Sequence, residues 1–180
     1  MQALPLLKDG VAIERITSGH LSQIAEFDCG AKDENEYLKI AAFANQSSHL
    51  SETFLLFEKE NRKLISYITL SFGSFKLASD KKIGGLKIRK KPFRIYANNL
   101  PCLLIGKLAT DKNEIKRGGA SHLLAFAYQK AVEIDRVLAL PFLALDAYLD
   151  KIEFYTKNGF KVAYAPRKGD RTAALYLQIF

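Results

Sequence analysis

The chain has 180 residues and a formal net charge of +8, Lys and Arg outnumbering Asp and Glu 27 to 19. At 48% hydrophobic and 26% charged, the composition excludes a disordered or fibrous chain. A chain this long buries roughly 70% of its unfolded surface, enough for one core, so a single domain over 1–180 is expected.

Val11 to Ile16 alternates apolar and charged residues as a half-buried strand does, and Thr17 or Ser18 can cap a helix bearing Leu21, Ile24, Ala25 and Phe27. Asp33 to Ala44 has helical spacing, with Tyr37, Leu38, Ala41 and Ala42 on one face. Thr53 to Phe57 and Leu64 to Leu70 read as a hairpin around the polar turn Lys59 to Lys63. The stretch from Gly73 to Asn99 contains Gly84, Gly85, Pro92 and a basic group of Lys81, Lys82, Lys87, Arg89, Lys90, Lys91 and Arg94. It reads either as a solvated loop or as a surface that contacts a polyanion. Leu100 to Ala109 has the apolar content of a central strand. Gly118 and Gly119 then open a helix in which Ala120, Leu123, Leu124, Ala127, Ala131 and Ile134 recur at helical spacing. Val137 to Leu145 reads as a strand whose Pro141 suggests an edge or a bulge where neighbouring strands separate. Asp146 is expected to begin a helix through Asn158, stopped by Gly159, before two last strands, Phe160 to Tyr164 and Thr172 to Ile179. The order predicts an α/β or α+β layer with helices covering a mixed sheet.

Cys29 and Cys102 have neither the number nor the spacing of a disulfide framework or a zinc site, which fits a reducing cytoplasm and no metal. No stretch reaches the ~18 uncharged residues of a membrane helix, and Ala3 to Leu7 meets Lys8 and Asp9 too soon for a secretory signal. The positive balance favours a polyanionic partner: a phosphorylated cofactor, RNA or DNA.

The segment richest in chemistry is Leu103 to Asp111 followed by Ile115-Lys116-Arg117-Gly118-Gly119-Ala120. A buried strand that leads through a glycine turn into a helix aims several unpaired backbone N–H groups at one spot, where the helix dipole is also positive, and phosphate binds there. Neither the dinucleotide fingerprint nor the P-loop spacing is present, and taken alone a Gly-Gly-Ala is as readily a packing device.

This segment resembles the pyrophosphate loop of the GCN5-related N-acetyltransferases, [QR]-x-x-G-x-[GA], matching at Gly118 and Ala120 and departing at Ile115. Phe154-Tyr155-Thr156-Lys157-Asn158-Gly159-Phe160 is similar to the family's F-Y-x-K-x-G-F. Over almost the whole chain, Phe27-Asp28-Cys29-Gly30, Tyr37-Leu38, Asn45-Gln46, Thr53-Phe54 and Gly106-Lys107-Leu108-Ala109 look like the acetyltransferase toxins of bacterial toxin/antitoxin pairs, with Lys107 where Arg is usual. The resemblance implies a mixed, mostly antiparallel sheet of six to seven strands, flanked by about four helices and splayed between the fourth and fifth strands. It also implies acetyl transfer from acetyl-CoA to the α-amine of an aminoacyl-tRNA, which blocks translation. A homodimer and a ribbon-helix-helix antitoxin are implied partners.

On that resemblance, Lys107, Leu108, Ala109 and Thr110 hold the pantetheine arm. The turn Ile115, Lys116, Arg117, Gly118, Gly119, Ala120 and Ser121 receives the diphosphate, with the charges of Lys116 and Arg117 assisting. Tyr155 is the candidate general acid, because a phenol of pKa about 10 is protonated at neutral pH and can serve a departing thiolate of pKa about 8.5. Asn45 and Gln46 are candidates to orient the acceptor, Asn45 being equally readable as a helix C-terminal cap, and Lys87, Arg89, Lys90 and Arg94, with Arg117, are candidates to track RNA phosphates. Asp111, Glu114 and His122 near the loop are explained by helix or loop solvation, and no general base stands out. Other readings are an acetyltransferase for a small amine, a peptide or a protein lysine, and a catalytically silent binding module.

Overall fold

The computed structural model describes residues 10–75, 82–83, 86–87 and 100–180, and of residues 82, 83, 86, 87 and 116 it describes the backbone alone. The chain forms two compact units, Met1–Ser71 with Ile105–Ala127, and Phe72–Leu104 with Tyr128–Phe180.

In the first unit, the alternation from Val11 forms β1 (Val11–Arg15), which pairs antiparallel with β2 (Glu52–Glu58). Thr53 of β2 faces Thr69 of β3 (Leu64–Phe75), and a bulge lies between Leu56 and Phe57. Strand β6 (Leu100–Thr110) follows β3 in the sheet. Thr17 precedes a 3-10 turn (Ser18–His20) and α1 (Leu21–Glu26), and its N–H donates to His20 Nδ1 at 3.1 Å. The helix expected from Asp33 is α2 (Lys32–Glu36), a π turn (Tyr37–Ala41) and α3 (Ala42–Ser47) in one run. Its apolar face buries Leu38 and Ala42 with Ile16, Ile24, Phe27, Leu55, Phe57, Leu64 and Tyr67. Each large side chain there contributes roughly 1.5–3 kcal/mol of burial. After β6, a 3-10 turn (Ile115–Arg117) leads into α4 (Gly119–Asp135).

In the second unit, β6, β7 (Phe142–Tyr148), β9 (Thr172–Gln178) and β8 (Lys161–Val162) are neighbours in that order. Phe142 faces Gln178 and Tyr148 faces Thr172 across an antiparallel ladder. Phe75, Leu100, Cys102, Phe142, Ala144, Ala163, Ala174 and Tyr176 form its core, with Phe75 edge-on to Phe142 at 4.9 Å. Helix α5 (Ile152–Lys157) follows a 3-10 turn (Leu149–Lys151) and stops at Gly159, whose φ is 91°. Short β4 (Lys82–Ile83) and β5 (Leu86–Lys87) pair with each other. The architecture is the expected mixed α/β one, with a seven-stranded, mostly antiparallel sheet.

Two expected boundaries move. The strand expected from Val137 begins at Phe142, because Pro141 has no N–H for a ladder and stands at the strand's threshold rather than in its middle. Val137 and Leu138 instead close the end of α4, both donating to Ile134 O, and are 90% and 68% exposed. Asp146 does not begin a helix. It sits in β7 opposite Ala174 and points to solvent, as the strand's alternation demands.

Candidate active site

Strand β6 delivers half-buried Lys107, Leu108, Ala109 and Thr110 to a turn that the backbone ties down at every step. Asp111 N–H donates to Ile65 O at 2.9 Å, Glu114 N–H to Asp111 O at 2.8 Å and Arg117 N–H to Glu114 O at 3.0 Å. The Asp111 carboxylate accepts from Asp28 N–H at 3.1 Å and Asn113 N–H at 2.9 Å. Gly118 adopts φ 77°, a left-handed conformation that costs glycine little. Helix α4 then begins, and the N–H groups of Gly119, Ala120 and Ser121 have no acceptor within it. His122 makes its first bond, N–H to Gly118 O at 3.1 Å, and Nδ1 of the same residue lies 2.9 Å from that carbonyl.

The side chains of the turn pair with one another: the Arg117 guanidinium donates to Glu114 at 2.9 Å and to Glu58, while Lys63 Nζ donates to Glu114 at 2.6 Å. Asp111, Glu114 and His122 are 5%, 7% and 5% exposed, so solvation does not explain them. The hydrogen bonds from Lys63 and Arg117 hold the Glu114 carboxyl below the usual range. Ile115, at the position of the family's Gln or Arg, is exposed.

A second cluster in the same unit surrounds Tyr37. Its hydroxyl lies 3.3 Å from Ser51 Oγ and accepts from Asn45 Nδ2 at 3.5 Å. Lys107 Nζ stands 5.9 Å from the Tyr37 ring centre and 3.5 Å from Glu34 Oε1. An α-helix would leave positions eight apart about 80° out of phase, and the extra residue of the π turn offsets much of that. Burial raises the Tyr37 phenol, but hydrogen bonding with Ser51, Asn45, Thr69 and Thr53 outweighs it and lowers the pKa. The sequence reading missed Tyr37 as a polar centre. Gln46, by contrast, is committed to structure: Nε2 donates to Ile16 O at 2.7 Å, and Oε1 accepts from Thr53 N–H at 3.1 Å.

In the second unit Tyr155 lies on α5, its ring packed on Phe154 at 5.1 Å and Phe160 at 5.9 Å. Burial pushes its phenol up to about 12. Among the described residues its hydroxyl makes no hydrogen bond.

Arg89, Lys90 and Arg94 lie outside the described residues, and of Lys87 only the backbone, in β5, is described. Cys29 Sγ donates to Asn35 Oδ1 at 3.1 Å and burial raises its thiol, while burial lifts Cys102 to about 11. Among the described residues no group of three or more His, Cys, Asp or Glu is placed to hold a metal ion, and no helix is long and apolar enough to cross a membrane.

No family model matches the chain. Solved structures do. AtaT complexed with acetyl-methionyl-tRNAfMet matches at a TM-score of 0.77 and 20% identity, over 93% of this chain and 94% of that one. A tyrosine-to-phenylalanine variant of KacT matches at 0.77 and 21%, over 95% and 96%. A tyrosine-to-phenylalanine variant of the AtaT toxin, bound to the C-terminus of the antitoxin AtaR and acetyl-CoA, matches at 0.69 and 19%, over 95% and 94%. At these identities the likeness is one of fold, and it spans nearly the whole of each chain: this protein has the GCN5-related N-acetyltransferase fold in the form that AtaT and KacT share.

Proposed function

We propose that residues 1–180 form one acetyl-CoA-dependent N-acetyltransferase domain, acting in the cytoplasm on the α-amine of aminoacyl-tRNA and thereby blocking translation. The observation that carries this is the turn at Gly118. A left-handed glycine at the mouth of the 17-residue helix α4 leaves three consecutive first-turn donors, on Gly119, Ala120 and Ser121, at the positive end of the helix dipole. That donor set suits a diphosphate.

Acetyl-CoA supplies an acetyl group already activated as a thioester. In this reading Gly118 to Ser121 hold its diphosphate, and the backbone of Lys107, Leu108, Ala109 and Thr110 lies along the pantetheine arm. Ile115 and Lys116 border the diphosphate, and the charge of Lys116 assists in holding it. Tyr155 keeps its proton at every working pH. With burial holding its phenol near 12, it is present as the protonated donor, the candidate general acid and hydrogen-bond partner for the sulfur as it becomes negative.

The acceptor follows from proton chemistry. Asp111 and Glu114 are occupied by N–H donors and cations, so neither serves as a base. A lysine amine of pKa about 10.4 is neutral in about one molecule per thousand at pH 7, whereas an α-amine near 8 is neutral in about a tenth. The α-amine therefore needs far less help. The complex of AtaT with acetyl-methionyl-tRNAfMet supports the same acceptor class, and its complex with AtaR supports an antitoxin partner, proposed here as a ribbon-helix-helix protein. Asn45, beside Tyr37, is assigned to the acceptor, Lys87, Arg89, Lys90 and Arg94 to RNA phosphates, and the active state to a homodimer.

Labelled acetyl-CoA offered to a panel of charged tRNAs, polyamines and peptides tests the proposal. Label is expected on the aminoacyl group of tRNA. Label on peptides or polyamines alone would overturn the acceptor, and no binding of acetyl-CoA at millimolar concentration would overturn the enzyme.

A further inference from the structure

Four charged groups stand in series within the first unit. Lys63 Nζ donates to one oxygen of Glu114 at 2.6 Å, Arg117 donates to the other at 2.9 Å, and the second guanidinium nitrogen of Arg117 donates to Glu58. Two cations and two carboxylates cancel, so the series presents no net positive charge to a bound anion. Glu114 is buried between its two cations, and Glu58 and Lys63 flank the turn between β2 and β3. Arg117 therefore ties the last residue before Gly118 to the end of that hairpin. Its backbone is held as well, its N–H donating to Glu114 O at 3.0 Å.

We infer that Arg117 is a positioning residue for the diphosphate turn and not a phosphate ligand: by gripping Glu58 and Glu114 it fixes the direction in which Gly118 to Ser121 present their N–H groups. The inference rests on the reading that this turn receives a diphosphate. Two carboxylates, one of them buried, already neutralise and orient this guanidinium, so a phosphate there would have to compete with both for its charge. Hydrogen bonds to Glu58 and Glu114 hold the Arg117 proton more tightly than usual and keep both carboxyls below their usual range, so all members stay ionised at neutral pH.

The two roles predict opposite responses when the carboxylates are neutralised. Glu114→Gln would free a phosphate ligand and leave acetyl-CoA affinity unchanged or tighter. For a positioning Arg117 it loosens the turn, so Glu114→Gln and Arg117→Gln should each weaken acetyl-CoA binding about tenfold, the scale of one charge-assisted hydrogen bond. The double variant should lose no more than the worse single one. Glu58→Gln breaks the series at the end away from Lys63, with a smaller loss in the same direction, and serves if Glu114→Gln fails to fold.

Calorimetry with acetyl-CoA reads the affinities, and transfer rates with S-acetyl-pantetheine, which lacks the diphosphate, provide the control. Weaker acetyl-CoA binding with unchanged kcat/KM for S-acetyl-pantetheine supports the inference. Equal losses with both donors, or weakening by Arg117→Gln alone, would overturn it while leaving the acetyltransferase reading intact. If the unaltered protein binds no acetyl-CoA, that reading fails and takes the inference with it.

Discussion

The Ser66 hydroxyl occupies the place where a side chain at residue 119 would begin: a Cβ built on Gly119 would lie 2.4 Å from Ser66 Oγ, 3.0 Å from Ile65 Cγ2 and 3.3 Å from Leu56 Cδ2. Ser66 cannot simply turn away, since its Oγ is also 2.8 Å from Thr110 Oγ1. The first residue of α4 is thus a glycine because the helix mouth is pressed onto β3, whatever it binds.

Gly119→Ala should therefore destabilise the protein by about 2 kcal/mol, against the ~0.4–1 kcal/mol that alanine normally returns by stiffening the unfolded chain. In thermal melts this is a fall of about 4–8 °C. The same change made in a Ser66→Ala background should cost less, and equal costs in both backgrounds would remove Ser66 as the obstacle.

Tyr155→Phe removes a hydroxyl that bonds to nothing among the described residues, so the melting temperature and the Kd for acetyl-CoA should stay where they are. The transfer rate should fall about a hundredfold. Because burial holds the phenol near 12, kcat should show no alkaline decline from this group until well above the ordinary phenol range of about 10. A decline centred on 9 to 10 that disappears in the variant would contradict the assignment.

Asp28 links the end of α1 to the turn after β6. Its carboxylate accepts from Lys112 Nζ at 2.7 Å, Gly30 N–H at 2.8 Å and Asn35 Nδ2 at 2.7 Å. The Lys112 ammonium, foremost among these, holds the carboxyl far below the usual carboxylate range. The folded pKa lies below the unfolded one of about 3.9, so the stabilisation is complete above pH 4 and is lost as the pH falls further. Asp28→Asn should lower the melting temperature at pH 7, with the gap to the unaltered protein closing below pH 4. A gap independent of pH would show that the charge is not the cause.

Asn45→Ala removes the donor to the Tyr37 oxygen at 3.5 Å. If this cluster meets the acceptor, KM for charged tRNA should rise several-fold while KM for acetyl-CoA stays unchanged. A rise in both, accompanied by a lower melting temperature, would reduce Asn45 to a helix contact.

Much of the fold is legible because hydrophobic period and turn residues are local signals. The Val11 alternation, the Leu64 strand, the glycine turn at 118 and the stop at Gly159 all follow from residues within a few positions of one another. The errors arose where a local signal has two physical outcomes. Pro141 can interrupt a strand or precede one, and the ladder from Phe142 to β9 decides which. The π turn at Tyr37 has no compositional mark, so the meeting of Tyr37 with Asn45 does not show in the spacing.

The sequence by itself determined the order of elements, the strand–glycine–helix device and the motifs around Gly118 and Tyr155, because these depend on neighbours along the chain. Only the tertiary structure decided what each charged side chain does. Glu58, Lys63, Glu114 and Arg117 come from separate stretches of the chain, and whether a guanidinium near a glycine turn faces a ligand or a pair of carboxylates depends on which of them folding brings within 3 Å. Ion pairing is a matter of distance in space, and the sequence carries no measure of it between residues 58 and 117.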